Sequence, residues 1–363
     1  MWEERAERVR REIAALAASG LGVAELHAAA QAAVQQAVPF EQACWAGVDP
    51  GTMAMTSVTN WHDWPVPEEY ALRFAESEYT GTEPNTFTQL VLRPRPVARI
   101  SDAAHRDVVR SVRLNDLLRP QGLEHELRAA FRVDEACWGI GSLFRGQGQD
   151  FTDREVEFLA ALTATLAAAS RIAVRAERAG HSGRQSAGGT AQRAGAAGQR
   201  TAEGPVIVLV GPHGELRAGT SAAASWLAEL EYAAPGRFSM VLYGVVAGAR
   251  AAASGTARGR MRDAGNNWVV LQASRLITGD DPGQMVVTVE PLTTHDLVSL
   301  LLAAYGATSR ERDVCLEVIA GATTAEMASR LFISPYTVHD HLKALFEKVG
   351  VGSRGELVAK LLA

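Results

Sequence analysis

His339, Asp340 and Lys343 fall on one side of a helix, together with Tyr336 and Glu347. They offer donors, acceptors and both signs of charge, which suits hydrogen bonding to the edges of a polar partner better than making or breaking bonds. Val338, Leu342, Leu345 and Val349 follow the spacing i, i+4, i+7, i+11 and must point the other way, into a small core. Ser334 followed by Pro335 supplies an N-cap and a first-turn proline, and Gly350 is placed to close the helix in a left-handed cap.

The elements that hold this face are signposted just as clearly. Thr308 with Glu311, Thr323 with Glu326 and Ser353 with Glu356 each form an S/T-x-x-E capping box. The first opens a helix with Val314, Cys315, Val318 and Ile319 inside; the last carries Leu357, Val358, Leu361 and Leu362. Four short helices, the middle two joined by about three residues, make an all-α helix-turn-helix unit over 308–363. In such a unit the outer face of the second joined helix enters the major groove of double-stranded DNA. The helix starts at Thr323 and Ser334 present free backbone N–H groups to phosphates. Lys348 reads as a backbone contact or a helix-dipole partner. Lys360 reads as an exposed residue of a dimer helix, and Leu357, Val358, Leu361 and Leu362 as the head-to-head contact of a homodimer.

The stretch 309–358 resembles the LuxR-type helix-turn-helix domain of bacterial transcriptional regulators. The likeness rests on Arg310, Glu311, Asp313 and Val314, on Gly321, and on the run from Glu326 to Ser334. Thr337, Val338 and His341 match as well, as does the run from Lys348 to Leu357. The resemblance implies that His339, Asp340 and Lys343 face bases, while Thr323, Thr324, Thr337 and His341 face the DNA backbone. At His339 this family usually has lysine. Across 308–363 seven basic residues are balanced by seven acidic ones, so modest affinity and a shallow salt dependence are expected of a monomer.

Of the 36 basic residues, 33 are arginine, and the three lysines are Lys343, Lys348 and Lys360. Residues 1–342 therefore cannot host a Walker-type phosphate loop, a Schiff-base site or a protein-kinase site, each of which needs a lysine. A net charge of -5 gives no global attraction to nucleic acid or to an anionic membrane, so binding must be local. Cys44, Cys137 and Cys315 lack paired spacing and fit a reducing cytosol. The N-terminus, MWEERAERVRRE, has no apolar run of a signal peptide. The uncharged run 158–170 falls short of the ~20 residues that span a bilayer. A cytoplasmic protein without a membrane partner is expected.

Residues 1–175 alternate helix and strand signals. Helices are expected at 3–16, 23–37, 67–78 and 103–118, and strands at 40–48, 53–58, 126–133 and 135–144. A Thr152–Glu155 capping box opens a helix with Val156, Leu159, Leu162, Leu166 and Ala169 on one stripe. The stripes of the first and last helices suit either a dimer bundle or packing on their own sheet. Residues 120–175, with the family's W-G-x-x-x-L-x-R and F-T-x-x-E patterns, resemble the end of a GAF domain, an α+β fold. Residues 204–292 resemble an α+β PAS domain, with Thr220 where that family often has asparagine. Between them, 176–203 is Gly-, Ala- and Ser-rich without large apolar residues and reads as a flexible linker; 293–307 reads as a connector.

Both resemblances imply sensing of a small molecule or partner, and neither names a cofactor. Trp45 and Trp138 suit ordinary core packing, whereas Trp61 and Trp64 in NWHDWP are candidates for a pocket lid. His339 and His341, two apart on a helix, do not share a face for a metal, and His125-Glu126 lacks the second histidine of H-E-x-x-H. The leading expectation is a DNA-binding transcriptional regulator rather than an enzyme. Two alternatives remain: a sensor and interaction protein whose helix-turn-helix no longer binds DNA, and a thiol enzyme using Cys44 or Cys137, as in GAF-fold proteins that reduce oxidised methionine.

Overall fold

Runs of β-branched and aromatic residues build two antiparallel sheets, and the computed structural model describes them within residues 1–63, 68–79, 81–134, 136–187, 204–233, 237–265, 267–277 and 283–362. The chain divides into two compact units, residues 1–173 with 187–291, and residues 174–186 with 292–363.

In the first unit, β1 (Gln42–Val48), β2 (Met55–Asn60), β3 (Val97–Arg99), β4 (His125–Val133) and β5 (Ala136–Arg145) form a sheet in the order β2-β1-β5-β4-β3. The central position of β5 follows from its composition: Cys137, Trp138, Ile140, Leu143 and Phe144 are all buried. Gly141 is required there, because a Cβ would meet the Trp45 ring at 2.7 Å. The short strand β3 has only three residues, too few for a period-2 pattern to show in the sequence.

Three helices cover one side of this unit: α1 (Trp2–Leu16), α2 (Val23–Gln35) and the first part of α6 (Asp153–Ala187). Val9 and Ile13 of α1 and Val156, Leu159, Leu162 and Leu166 of α6 are buried within the chain. Trp2 packs edge-on to Phe158 at 5.6 Å, and Arg154 pairs with Glu3 at 3.2 Å. The stripes that also suited a dimer bundle are thus covered by their own unit. The stretch Asp153–Glu177 has the length and apolar composition of a membrane span, since its few charges sit near its ends. Burial of its apolar stripe accounts for that composition. The helix runs on to Ala187, so the first part of the segment read as a linker is helical; residues 188–203 lie outside the described residues.

The second sheet comprises β6 (Val206–Val210), β7 (Leu216–Gly219), β8 (Thr256–Arg262), β9 (Trp268–Arg275) and β10 (Met285–Pro291), in the order β7-β6-β10-β9-β8. With it go α7 (Ser221–Ala233) and α8 (Arg237–Ala251). Helix α8 is apolar nearly all round, with Val241, Leu242, Tyr243, Val245, Val246, Ala247 and Ala249 buried. It packs on β8 and β9 of its own sheet and also on β2 and α3 (Glu68–Ser77), so both sheets share one core. Arg250 of α8 pairs with Glu76 of α3 at 2.6 Å.

The second unit is helical: α9 (Thr294–Ala304), α10 (Ser309–Ile319), α11 (Thr324–Leu331), α12 (Pro335–Val349) and α13 (Arg354–Leu362). Its core takes in Val298, Leu301, Val314, Val338, Leu342 and Leu345. The residues read as a connector therefore form α9, a fifth helix of the C-terminal core, because Val298, Leu301 and Leu302 bury the apolar side that a linker would have left in water.

Candidate nucleic-acid interface

Capping residues fix each helix of the C-terminal unit. Thr308 Oγ1 accepts from the Glu311 backbone N–H at 3.3 Å, and the Glu311 carboxylate accepts from the Thr308 N–H at 2.7 Å. Thr323 and Glu326 repeat the arrangement at the start of α11, at 3.3 and 2.7 Å. Ser334 Oγ accepts from the Thr337 N–H at 3.1 Å to open α12, and Gly350 closes it at φ 70°. Residues 332–334 form the tight turn between α11 and α12, with Phe332 in the left-handed conformation at φ 55°.

On α12 the inward stripe is as its spacing requires: Val338, Leu342, Leu345 and Val349 are buried. Tyr336, His339, Asp340, Lys343 and Glu347 are exposed, and Tyr336 is 75% exposed despite its apolar ring. Thr337 and His341 are half-buried beside them. The structure thus brings His339, Asp340 and Lys343 onto one solvent-facing surface. Thr323 and Ser334 cap the two helices of the turn.

Two of the lysines are also engaged within the unit. Lys348 donates to both oxygens of Glu311, at 3.0 and 2.7 Å, so it braces the end of α12 against the start of α10. Burial works to raise the pKa of Glu311, but hydrogen bonds from Lys348 and Thr308 hold it below its ordinary value. In the last turn of α12 its charge also meets the negative end of the helix dipole. Lys360, exposed on the last helix, donates to the Val349 carbonyl at 2.7 Å and satisfies the C-terminus of α12.

The four residues expected at a dimer contact separate. Leu357 and Leu361 are fully buried in the unit's own core, Val358 is half-buried against it, and only Leu362 is exposed. The reason is α9, which packs on α13 and takes the face that the sequence left open.

Arg354 lies within the matched run from Lys348 to Leu357, but that pattern assigns it no contact. Its guanidinium donates to Thr324 Oγ1 at 2.8 Å and so brings positive charge to the first residue of α11. Of the tryptophans read as pocket-lid candidates, Trp61 stacks edge-on to Phe40 at 5.2 Å and lines an open pocket of about 360 Å³ with Ala24, Gln31 and Thr59. Trp64 lies outside the described residues. Burial raises the thiol pKa of Cys44 to about 12 and that of Cys137 to about 11, which disfavours the thiolate form at both.

A capped helix-turn-helix with an exposed polar face on its second helix defines a DNA-binding domain. Comparison with known proteins agrees: residues 307–361 match the family of bacterial regulatory proteins, luxR family. The spore germination protein GerE of Bacillus subtilis (strain 168) is 44% identical over 55 residues, which are 15% of this chain and 74% of GerE. The chain belongs to the LuxR family of bacterial regulatory proteins. The "Probable transcriptional regulatory protein NarL" of Mycobacterium tuberculosis (strain ATCC 25618 / H37Rv) is 35% identical over 54 residues, 15% of this chain and a quarter of its own length. Among solved structures, a bacteriophytochrome from the photosynthetic bacterium R. palustris is similar at 13% identity and a TM-score of 0.34, covering 78% of this chain and 62% of that one.

Proposed function

We propose that this protein is a cytoplasmic, sequence-specific transcriptional regulator whose N-terminal region senses a small molecule or partner. Residues 1–175 serve as a GAF-like sensory domain and 204–292 as a PAS-like domain, followed by the DNA-reading unit. The observation that carries the reading is the exposed triplet His339, Asp340 and Lys343 on α12, beside two helix N-termini capped by Thr323 and Ser334. His339, Asp340 and Lys343 read bases in the major groove. Thr323, Thr324, Ser334, Thr337 and His341, joined by Arg354, hold the phosphates.

Seven basic against seven acidic residues in 308–363 make a single head a weak binder, so two copies act together on paired half-sites. Their contact uses exposed Leu362 and the edge of Val358, since Leu357 and Leu361 are already buried. Selection of bound fragments from random DNA, followed by gel shift, tests the reading. Lys343→Ala is expected to weaken the selected site by about 1–3 kcal/mol, as loss of one good base contact would. Unchanged affinity would show that α12 does not face the bases; failure to select any sequence would favour a sensor without DNA.

A further inference from the structure

One apolar space in the first unit stands apart from the DNA-reading unit. It is a partly open cavity of about 170 Å³ between the first sheet, the end of α3 and helix α4 (Phe87–Val91), bounded on one side by Met240 and Gly244 of α8. Met55, Phe74, Phe87, Ile140, Phe144 and Met240 make most of its wall apolar. An apolar cavity of about 150 Å³ accepts a molecule the size of benzene.

The polar part of the wall is a buried ionic cluster. Arg113 and Arg128 have side chains only 2% and 3% exposed, and Glu78, Glu83 and Glu126 surround them. Arg113 Nε donates to Glu126 at 2.9 Å, and its Nη2 to the Pro84 carbonyl at 2.8 Å. Arg128 donates through Nη1 to the Asn85 carbonyl at 3.0 Å and through Nη2 to Glu78, while its guanidinium lies over the Phe87 ring at 3.7 Å. Two buried nitrogens have no acceptor: Arg113 Nη1 and Arg128 Nε, whose closest carboxylates stand at 3.7 and 3.6 Å. Buried guanidinium N–H groups rarely go unmatched, because they forfeit their hydration without return.

The missing acceptor has a definable chemistry. Three carboxyl groups stand against two guanidinium groups, so no positive charge is left over for an anion. We infer that the cavity binds an uncharged, ring-sized apolar molecule carrying a carbonyl oxygen, which accepts the N–H left unpaired on Arg113 or Arg128 while the ring fills the space between Phe74, Phe87 and Met240. This rests on the reading of a small-molecule-responsive regulator and names the class of molecule it answers.

Calorimetric titration of the full chain with acetophenone, benzoate and ethylbenzene tests this, since the three probes share a size and differ in acceptor and charge. Acetophenone is expected to bind about tenfold or more tightly than either of the others, the margin of one matched buried hydrogen bond. Benzoate binding as tightly as acetophenone would overturn the charge argument, and binding by none of the three would overturn the site. Gly244→Leu should block the cavity, because its side chain grows into the space and first meets the terminal methyl of Met55, at 2.9 Å from the new Cβ. That variant should lose acetophenone and keep its circular dichroism; if it does not fold, Met240→Trp fills the same space from the preceding turn. Acetophenone bound by the folded variant as by the parent chain would place the ligand elsewhere and overturn the proposal. Gel shift on the selected DNA runs alongside. DNA bound without any probe refutes the cavity alone, whereas acetophenone bound without DNA refutes the regulator reading alone.

Discussion

In the C-terminal unit, His339, Asp340 and Lys343 carry their charges and hydrogen-bonding atoms into solvent, whereas in the N-terminal unit Arg113, Arg128 and Glu126 carry theirs inside. The exposed set draws on one helix and the caps around it. The buried set is assembled from one strand, β4, which carries Glu126 and Arg128, from a short helical segment that Arg113 opens, and from the turn and loop after α3 with Glu78 and Glu83. Exposed charges wait for a partner at little cost, because water solvates them meanwhile. Buried charges must satisfy one another at once, so a single unmatched N–H there carries information that it would not carry at the surface.

Removing one member of each set should separate the two regimes. The largest effect is expected for Arg113→Met, which leaves Glu126 and Glu83 buried without their guanidinium. The first unit should lose about 3–5 kcal/mol, seen as a lower melting transition, while affinity for the selected DNA stays within about twofold. Equal damage to DNA binding would mean that the two units do not behave separately.

A second test concerns His27, fully buried between Trp45, Phe131 and Ser170, with its Nε2 3.1 Å from the serine oxygen. Burial lowers its pKa from 6.5 to about 4. The folded ring stays neutral over a range in which the unfolded chain takes up a proton. Stability is therefore full above pH 6.5 and falls as the pH drops toward 4, by on the order of 3 kcal/mol. His27→Gln should flatten that slope; denaturant midpoints at pH 7 and pH 4.5 for both proteins would measure it, and parallel slopes would refute the assignment.

Smaller effects are expected where partners remain exposed. Thr323→Ala removes one cap from α11 and should cost about 1 kcal/mol in urea unfolding, with a matching loss of DNA affinity only if that helix end meets a phosphate. Least of all should happen at the cysteines. Burial raises Cys44 to about 12 and Cys137 and Cys315 to about 11, so none should react with a disulfide reagent at pH 8 until the chain is unfolded.

The helix-turn-helix was legible because its signals are local. Each capping box needs residues three apart, and the inward stripe of α12 needs only helical periodicity. Most strands of the first sheet were legible for the same reason, in runs of branched and aromatic residues. Helix α8 gave no such signal, because a segment apolar on every side has no period to read. Helix α9 was passed over as a connector, and with it the burial of Leu357 and Leu361 by their own unit. Lys348 and Lys360 show the same limit: sequence placed each on its helix, but Glu311 and the Val349 carbonyl, which engage them, are set by packing.

The sequence by itself determined the C-terminal domain, its family and which side chains of α12 face solvent, since caps, turns and a 3.6-residue period act over a few neighbouring positions. Only the tertiary structure decided which charges are free and which are braces, and that a cavity exists at all. Arg113, Arg128, Phe87 and Met240 are far apart along the chain, and their meeting depends on β4, α4 and α8 closing on one another, which no local pattern encodes.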